Sequence, residues 1–484
     1  MAQVKSAAFK KASTRALHDQ GIQHALNHVM NHFTEARASA IAADYSDESW
    51  DAMRTRAAAI KAHTIGNLDY YLDLADRSIR RNGGHVHFAD DAADATRIVI
   101  DIAKRHDVKR AIKSKSMVSE EMGLNDALKR AGIDPVETDL GEYIIQLAGE
   151  TPFHIIAPAM HKTREEVSDL FHDWLKSAPT SDIARLCSIA REALRKHFET
   201  AEMGITGANF VVAETGTVVI VTNEGNGRMV TSTPRVHVAI CGMEKVLPAI
   251  EDLPVFLRLL PRSATGQRTT SYTSFISGPR GPSDEDGPEE FHLIFVDNGR
   301  LNLLKDEVLR EALSCIRCGA CLNHCPVYRK VGGHAYGWVY SGPIGAVVTG
   351  PMTGMKQAAD LPFASTLCGA CRDVCPVKID LPKLLLHLRH RLAEGTGSGE
   401  RAGTWMERLY IRRWHDAVKT RAALDRSTRL GRLLQKPLVR RGKVRSLPLP
   451  VISGWTKDRD FPALAPKSFG EIWRDGLGPA REPE

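Results

Sequence analysis

The sequence predicts an α/β domain with a substantially parallel sheet, followed by a smaller helical domain rich in cysteine and a basic C-terminal extension. Three observations carry this expectation. Between about residue 85 and residue 297 short β-rich runs alternate with helix-patterned segments, the order that builds a parallel sheet. Seven of the nine cysteines crowd into residues 315–375. Between residues 401 and 445, fourteen Lys plus Arg stand against three Asp plus Glu, so this stretch carries +11 and the rest of the +7 chain is near −4.

At 484 residues the chain exceeds one ordinary core and implies two or three domains. With 43% hydrophobic and 25% charged residues it has a globular composition. The N-terminal M-A-Q-V-K-S-A-A-F-K-K has lysines but no apolar h-region after them, so no secretory signal is expected. The longest apolar runs, such as V-V-I-V near residue 220, are far too short to span a membrane. The expectation is a soluble, cytoplasmic protein.

Residues 1–60 read as helices, because A-L-N-H-V-M-N-H-F-T-E-A-R and S-W-D-A-M-R-T-R-A-A-A-I-K-A-H place apolar residues three to four apart. H-V-H-F-A and T-R-I-V-I-D-I-A then open the alternating series. Strand-like runs follow at 208–213, 218–222, 235–242 and 291–297, bounded by Gly, Asn or Pro.

The cysteine block begins C-I-R-C-G-A-C-L-N-H-C-P: Cys315, Cys318, Cys321, Cys325 and Pro326. This is the Cys-x2-Cys-x2-Cys-x3-Cys-Pro spacing of bacterial ferredoxins. Three thiolates at this spacing let one tight loop wrap an iron–sulfur cubane, and the cysteine beside the proline points away to a second cluster. Small Gly319 and Ala320 let peptide N–H groups approach the sulfurs. Structural zinc favours two Cys-x2-Cys or Cys/His pairs, which this run does not supply. A secreted disulfide framework would need an export signal.

The stretch S-T-L-C-G-A-C-R-D-V-C-P repeats the pattern with Cys368, Cys371, Cys375 and Pro376, but Ser365 fills the first slot. With each motif lending its last cysteine to the other, cluster 1 is expected on Cys315, Cys318, Cys321 and Cys375. Cluster 2 is expected on Cys325, Cys368 and Cys371. Its fourth position is open: a three-iron cluster, an oxygen such as Ser365, solvent and a partner subunit all satisfy the count. Ser365 also suits a cap on the short helix that follows. Helical patterns flank both motifs, D-E-V-L-R-E-A-L before Cys315 and L-P-K-L-L-L-H-L-R-H-R-L-A after Cys375, as in an alpha-helical ferredoxin. Paired clusters serve one-electron relay.

Elsewhere, K-S-K-S-M-V-S-E-E-M sets Lys113, Ser114, Lys115 and Ser116 before a helix, which suits either an anion or a solvated cap. Glu137, Asp139 and Glu142 lie close together as acid–base candidates or as a capped helix start. T-G-T at 215–217 and E-G-N-G-R at 224–228 read as tight turns or an anion nest. His154, His161 and His237 read as structural, and Cys187 and Cys241 as buried fillers. No Gly-x-Gly-x-x-Gly after a strand, phosphate loop or His-Glu-x-x-His occurs, so no flavin or nicotinamide is announced. The linker G-T-G-S-G opens the basic tail, which suits an acidic partner or anionic lipid. Nucleic acid is not expected as a partner, because no recognisable binding module accompanies the arginines.

Taken together, H-V-H-F-A, K-S-K-S-M-V-S-E-E, E-T-D-L-G-E-Y-I-I-Q-L, H-I-I-A-P-A-M-H-K-T, the two turns, the first cysteine motif with V-Y-R, and G-G-H-A-Y-G-W-V-Y-S-G-P-I-G make the chain resemble the lactate-utilisation protein B family. That family is the iron–sulfur subunit of a three-part L-lactate oxidation system. The resemblance implies N-terminal helices over 1–60, a LUD domain over 61–300 similar in fold to ribose-5-phosphate isomerase and CoA-transferase proteins, an alpha-helical 4Fe-4S ferredoxin domain over 301–395 and a basic extension over 396–484. It implies two [4Fe-4S] clusters on the seven cysteines, with cluster 2 three-iron or bound by a non-cysteine ligand. It also implies that the short second motif is a family trait. Partners would be the other subunits and a quinone-linked acceptor reached at the inner membrane face through the tail. No catalytic residue is implied. The rival expectation is that the α/β domain itself binds and oxidises a 2-hydroxy acid at Lys113, Lys115 and the glycine turns.

Overall fold

A computed structural model describes residues 4–395, 405–444 and 459–477. The chain forms two compact units, residues 1–401 and 402–484. The first opens with α1 (Phe9–His18), α2 (Gln20–Ala42), α3 (Asp47–Gly66) and α4 (Leu68–Arg81). Asp19 caps α2 by accepting from Ile22 N–H, and Ser46 caps α3 with Asp47 and Glu48 in its first turn, which satisfies otherwise orphaned donors.

The alternating region follows as β1 (His85–Ala89), α5 (Ala92–Arg105), β2 (Arg110–Lys113), α6 (Met117–Met122), α7 (Leu124–Arg130), β3 (Asp134–Glu137), α8 (Leu140–Ala148), α9 (Arg164–Leu175), α10 (Ile183–Thr200) and β4 (Met203–Thr206). After β5 (Phe210–Val212), β6 (Thr217–Thr222) and α11 (Asn226–Ser232) come β7 (Val236–Gly242), β8 (Val246–Leu247), α12 (Leu253–Thr265), β9 (Tyr272–Ile276) and β10 (Glu290–Val296). The main sheet has the order β1-β10-β7-β4-β2-β3 and every pair is parallel. The T-R-I-V-I-D-I-A run lies in α5.

Alternation along β7 explains why both faces are covered. Val236, Val238 and Ile240 meet Ala95, Val99 and Ile102 of α5, whereas Ala239 and Cys241 face Ala75 and Ile79 of α4. Such doubly covered strands read as unbroken apolar runs. A second sheet, β8-β5-β6-β9, packs on the α4 side. Its β5–β6 hairpin turns at Gly216, φ 68°, where a Cβ would lie 2.7 Å from the Ser78 and Ile79 backbone. Only glycine fits there.

The cysteine region contains α13 (Arg300–Lys305), α14 (Ala320–His324), α15 (Tyr328–Val331), α16 (Gly342–Thr353), α17 (Ala370–Asp373) and α18 (Leu381–Glu394). Its core is continuous with the N-terminal helices: Leu26 and Met30 of α2 and Trp50 and Ala57 of α3 join Leu313, Leu322, Tyr328, Leu384 and Leu388. Fully buried Leu26 and Met30 each contribute about 1.5–3 kcal/mol.

In the second unit α19 (Trp405–Val418) packs on α20 (Arg421–Gln435). The short strands β11 (Val439–Arg440), β12 (Lys443–Val444) and β13 (Phe461–Pro462) pair antiparallel. α21 (Phe469–Ile472) is tied to α20 by Arg432 Nη2 and Glu471 Oε2 at 2.9 Å. Residues 396–399 of the glycine-rich linker and Trp455 of the aromatic tail lie outside the described residues. Among the described residues no helix is long and apolar enough to cross a membrane.

Candidate metal centre

Both cysteine motifs fold the same way. Left-handed residues flank the second cysteine position in each: Arg317 at φ 59° and Gly319 at 78°, Leu367 at 55° and Gly369 at 88°. Arg317 N–H donates to Cys315 Sγ at 3.4 Å, and Leu367 N–H donates to Ser365 Oγ at 3.1 Å. Ser365 therefore occupies the place and accepts the hydrogen bond of the first cysteine. It does not cap the following helix, because Gly369 is the N-cap residue of α17.

Cys315, Cys318, Cys321 and Cys375 line one pocket, walled by Ile155, Ile316, Ile344 and Val377. Cys325, Cys368 and Cys371 are not in that lining and lie within electrostatic range of one another. Burial, then the neighbouring Cys368, raises the Cys325 thiol, and burial with Cys325 and Cys368 pushes Cys371 up to about 12. Burial likewise pushes Cys375 up to about 11. Cys321, which lines the first pocket, is also within electrostatic range of Cys371. Exposed Cys368 goes the other way, its thiolate favoured by the Ala370 N–H.

This donor set fits iron–sulfur chemistry. It is all sulfur, which selects soft thiophilic metals. Peptide N–H groups of Ile379 and Tyr328 point at Cys375 Sγ and Cys325 Sγ, at 3.3 and 3.5 Å, where they would stabilise thiolates. Crowded, buried thiols that resist ionisation become ligands by giving their protons up to an incoming metal.

The N-terminal helices brace the second motif, a role the sequence did not announce. Arg54 Nε donates to Cys375 O at 3.0 Å and its Nη2 to Asp373 O at 2.8 Å; Arg37 Nη2 donates to Val374 O at 3.2 Å. Arg54→Ala loses these two Arg54 bonds and is expected to speed iron loss to a chelator at least tenfold, since even one lost charged hydrogen bond is worth about 1.5 kcal/mol. Release followed by absorbance, with Cys187→Ala as the control, measures it. Cys187 is exposed on α10 and not the buried filler its apolar neighbours imply.

In the α/β domain several charges serve structure. Buried Lys113 pairs with Glu137 and donates to Asn125 Oδ1 at 2.7 Å, so it is no anion site. Ser116 caps α6 and Asp139 caps α8. His154 Nε2 meets Asn323 Oδ1 at 3.0 Å, His161 meets Glu150, and His237 Nε2 meets Thr206 Oγ1 at 2.9 Å. The E-G-N-G-R stretch turns the chain out of the end of β6 and runs into α11.

A cavity of about 580 Å3 lies at the carboxyl ends of β2, β3, β4 and β7, with Lys115, Asp139, Glu224 and Gly227 in its lining. That is the customary ligand position in parallel sheets. Burial and nearby Asp139 raise the Glu224 carboxyl to about 7. The folded state therefore binds the proton more tightly than the unfolded chain. This contribution to stability is complete below about pH 4.5 and disappears as pH rises through 7. Glu224→Gln is expected to flatten the fall in urea midpoint between pH 5 and pH 8.

Sequence reasoning also missed a buried ion network. Fully buried Arg300 binds both oxygens of Glu121, each at 2.9 Å, and Glu244 Oε2 at 2.7 Å; Tyr340 O–H donates to Glu121 Oε2 at 2.7 Å. Two charges directly after an apolar strand, in C-G-M-E-K at 241–245, were the available signal.

The chain matches two known domain families. Residues 72–296 match the LUD domain, and residues 311–379 match the 4Fe-4S dicluster domain. Lactate utilization protein B of Bacillus licheniformis is 44% identical over 428 residues, covering 88% of each chain. Its namesake in Shouchella clausii is 41% identical over 472 residues, covering 97% of each. The crystal structure of a duf162 family protein from Deinococcus radiodurans covers 98% of its own chain and 47% of this one, at 12% identity and a TM-score of 0.28, too low for structural comparison.

Proposed function

Because the chain belongs to the lactate utilization protein B family and carries iron–sulfur clusters, we propose that it is the electron-relay subunit of L-lactate oxidation. The observation that carries this reading is the interleaving of the two cysteine motifs. Three thiols of the first share a pocket with the last thiol of the second, and the last thiol of the first gathers with the remaining two. We assign Cys315, Cys318, Cys321 and Cys375 to one cluster and Cys325, Cys368 and Cys371 to the other, with Ser365 Oγ in the vacant ligand slot. When bound, two such clusters accept and release electrons one at a time. The chain's own residues hold them close together, shield them with apolar walls and direct peptide N–H groups at the sulfurs.

In this reading lactate gives up its electron pair on a partner subunit. The net positive charge of the sequence from residue 401 suits an acidic partner or anionic lipid at the inner membrane face, near a quinone-linked acceptor. The domain limits follow the reading: helices to residue 60, LUD domain to 300, ferredoxin domain to 395, extension to 484. The test is reduction of the purified, anaerobically reconstituted chain. Dithionite should bleach its visible absorbance, and L-lactate should do so only after the other subunits are added. Bleaching by lactate alone would favour oxidation within this chain.

A further inference from the structure

The 580 Å3 cavity adjoins the four-thiol pocket, since Ile155 and Arg317 line both. Six charged residues line the cavity: Lys115, Asp139, Glu224, Glu244, Lys245 and Arg317. Most are already engaged. Lys115 Nζ donates to Ile156 O at 2.7 Å, Asp139 Oδ1 accepts from Glu142 N–H, and Glu224 Oε2 accepts from Leu140 N–H at 3.2 Å. Glu244 is held by Arg300 and Arg317.

Two donors remain unused. Lys245 is 8% exposed and lies within electrostatic range of Glu244 and Cys315, but it makes no direct hydrogen bond or ion pair among the described residues. Arg317 lies over the Tyr340 ring at 4.5 Å and reaches Glu244 at 3.5 Å, but its buried Nη1 has no partner. A buried donor without an acceptor is costly to keep, and Arg317 Nη1 is one, with the ammonium of Lys245 lining the same space of ligand size. The rest of the lining, including Ile155, Val221 and Leu260, is largely apolar. A three-carbon acid would leave most of this volume to water, so the occupant has an apolar body as well as its charge.

We propose that this cavity binds an organic carboxylate with an apolar body, its carboxylate received by Lys245 and Arg317 beside the four-thiol pocket. Arg317 joins the two sites physically: its main-chain N–H bonds Cys315 Sγ, and its guanidinium contacts Tyr340 and Glu244, which line the cavity with it. The inference stands apart from the relay reading, because binding requires no electron transfer.

The test is anaerobic calorimetry on the full-length, iron-loaded chain, with 3-phenylpropionate as probe and 3-phenylpropanamide as its uncharged counterpart. Saturable uptake of one carboxylate per chain is expected, with the amide at least tenfold weaker. Lys245→Met should weaken the carboxylate at least tenfold, and Lys245→Arg should retain it with unchanged iron content. No saturable uptake by the wild-type chain overturns the proposal. So does equal affinity for acid and amide, or binding indifferent to Lys245→Met.

Discussion

Replacing Cys375 with alanine is expected to empty the metal centre of the other motif and spare the one beside it. Cys375 shares its pocket with Cys315, Cys318 and Cys321, although more than fifty residues of chain separate them. Losing it removes one of four thiolates from a site where burial makes the Cys318 and Cys321 thiols resist ionisation on their own. Iron and sulfide should fall by about half, the share of one of two cubanes. Cys325→Ala should halve the iron too, but by emptying the group of Cys368 and Cys371. The two variants should therefore keep different EPR signals, each without the mutual broadening of the wild type. If each variant lost the signal of its own motif's first cysteines instead, the ligands would not cross.

The second large effect is expected at Arg300→Met. This side chain is fully buried and neutralises Glu121 and Glu244, themselves 0% and 1% exposed. Removing one partner of a buried charge group costs about 3–5 kcal/mol, because the abandoned carboxylates stay in a dry setting. The denaturant midpoint should fall accordingly, and the double variant Arg300→Met with Glu121→Gln should recover part of the loss. Against the upward pull of burial, Arg300 and Arg317 hold the Glu244 carboxyl down at about 2. Its contribution is therefore present above about pH 4.5 and is lost as pH falls toward 2. The wild type should be more acid-sensitive than the triple variant that also carries Glu244→Gln.

The parallel sheet was legible because β7 and β10 are apolar runs interrupted only by His237, Glu290 and His292 between punctuating Gly, Asn and Pro, close to the mark of strands covered on both faces. The cysteine spacing was legible for a different reason: cluster wrapping is a local property of ten residues. What the sequence hid is long-range. Arg54 reaches a carbonyl 321 positions away and Glu121 meets an arginine 179 positions away, and no periodicity records such pairings. Lys113 misled because a lysine beside serines at a helix start looks the same whether it awaits an anion or is neutralised by Glu137 on the adjoining strand. The hydrogen bond at Ser365 was hidden likewise: only the backbone shows that its hydroxyl repeats the contact of Cys315.

The most direct measurement is EPR spectroscopy of the anaerobically prepared chain after dithionite reduction. Two iron–sulfur signals broadened by mutual interaction are predicted, since Cys321 lies within electrostatic range of both thiol groups. A colourless protein holding zinc, with no reducible signal, would contradict the account.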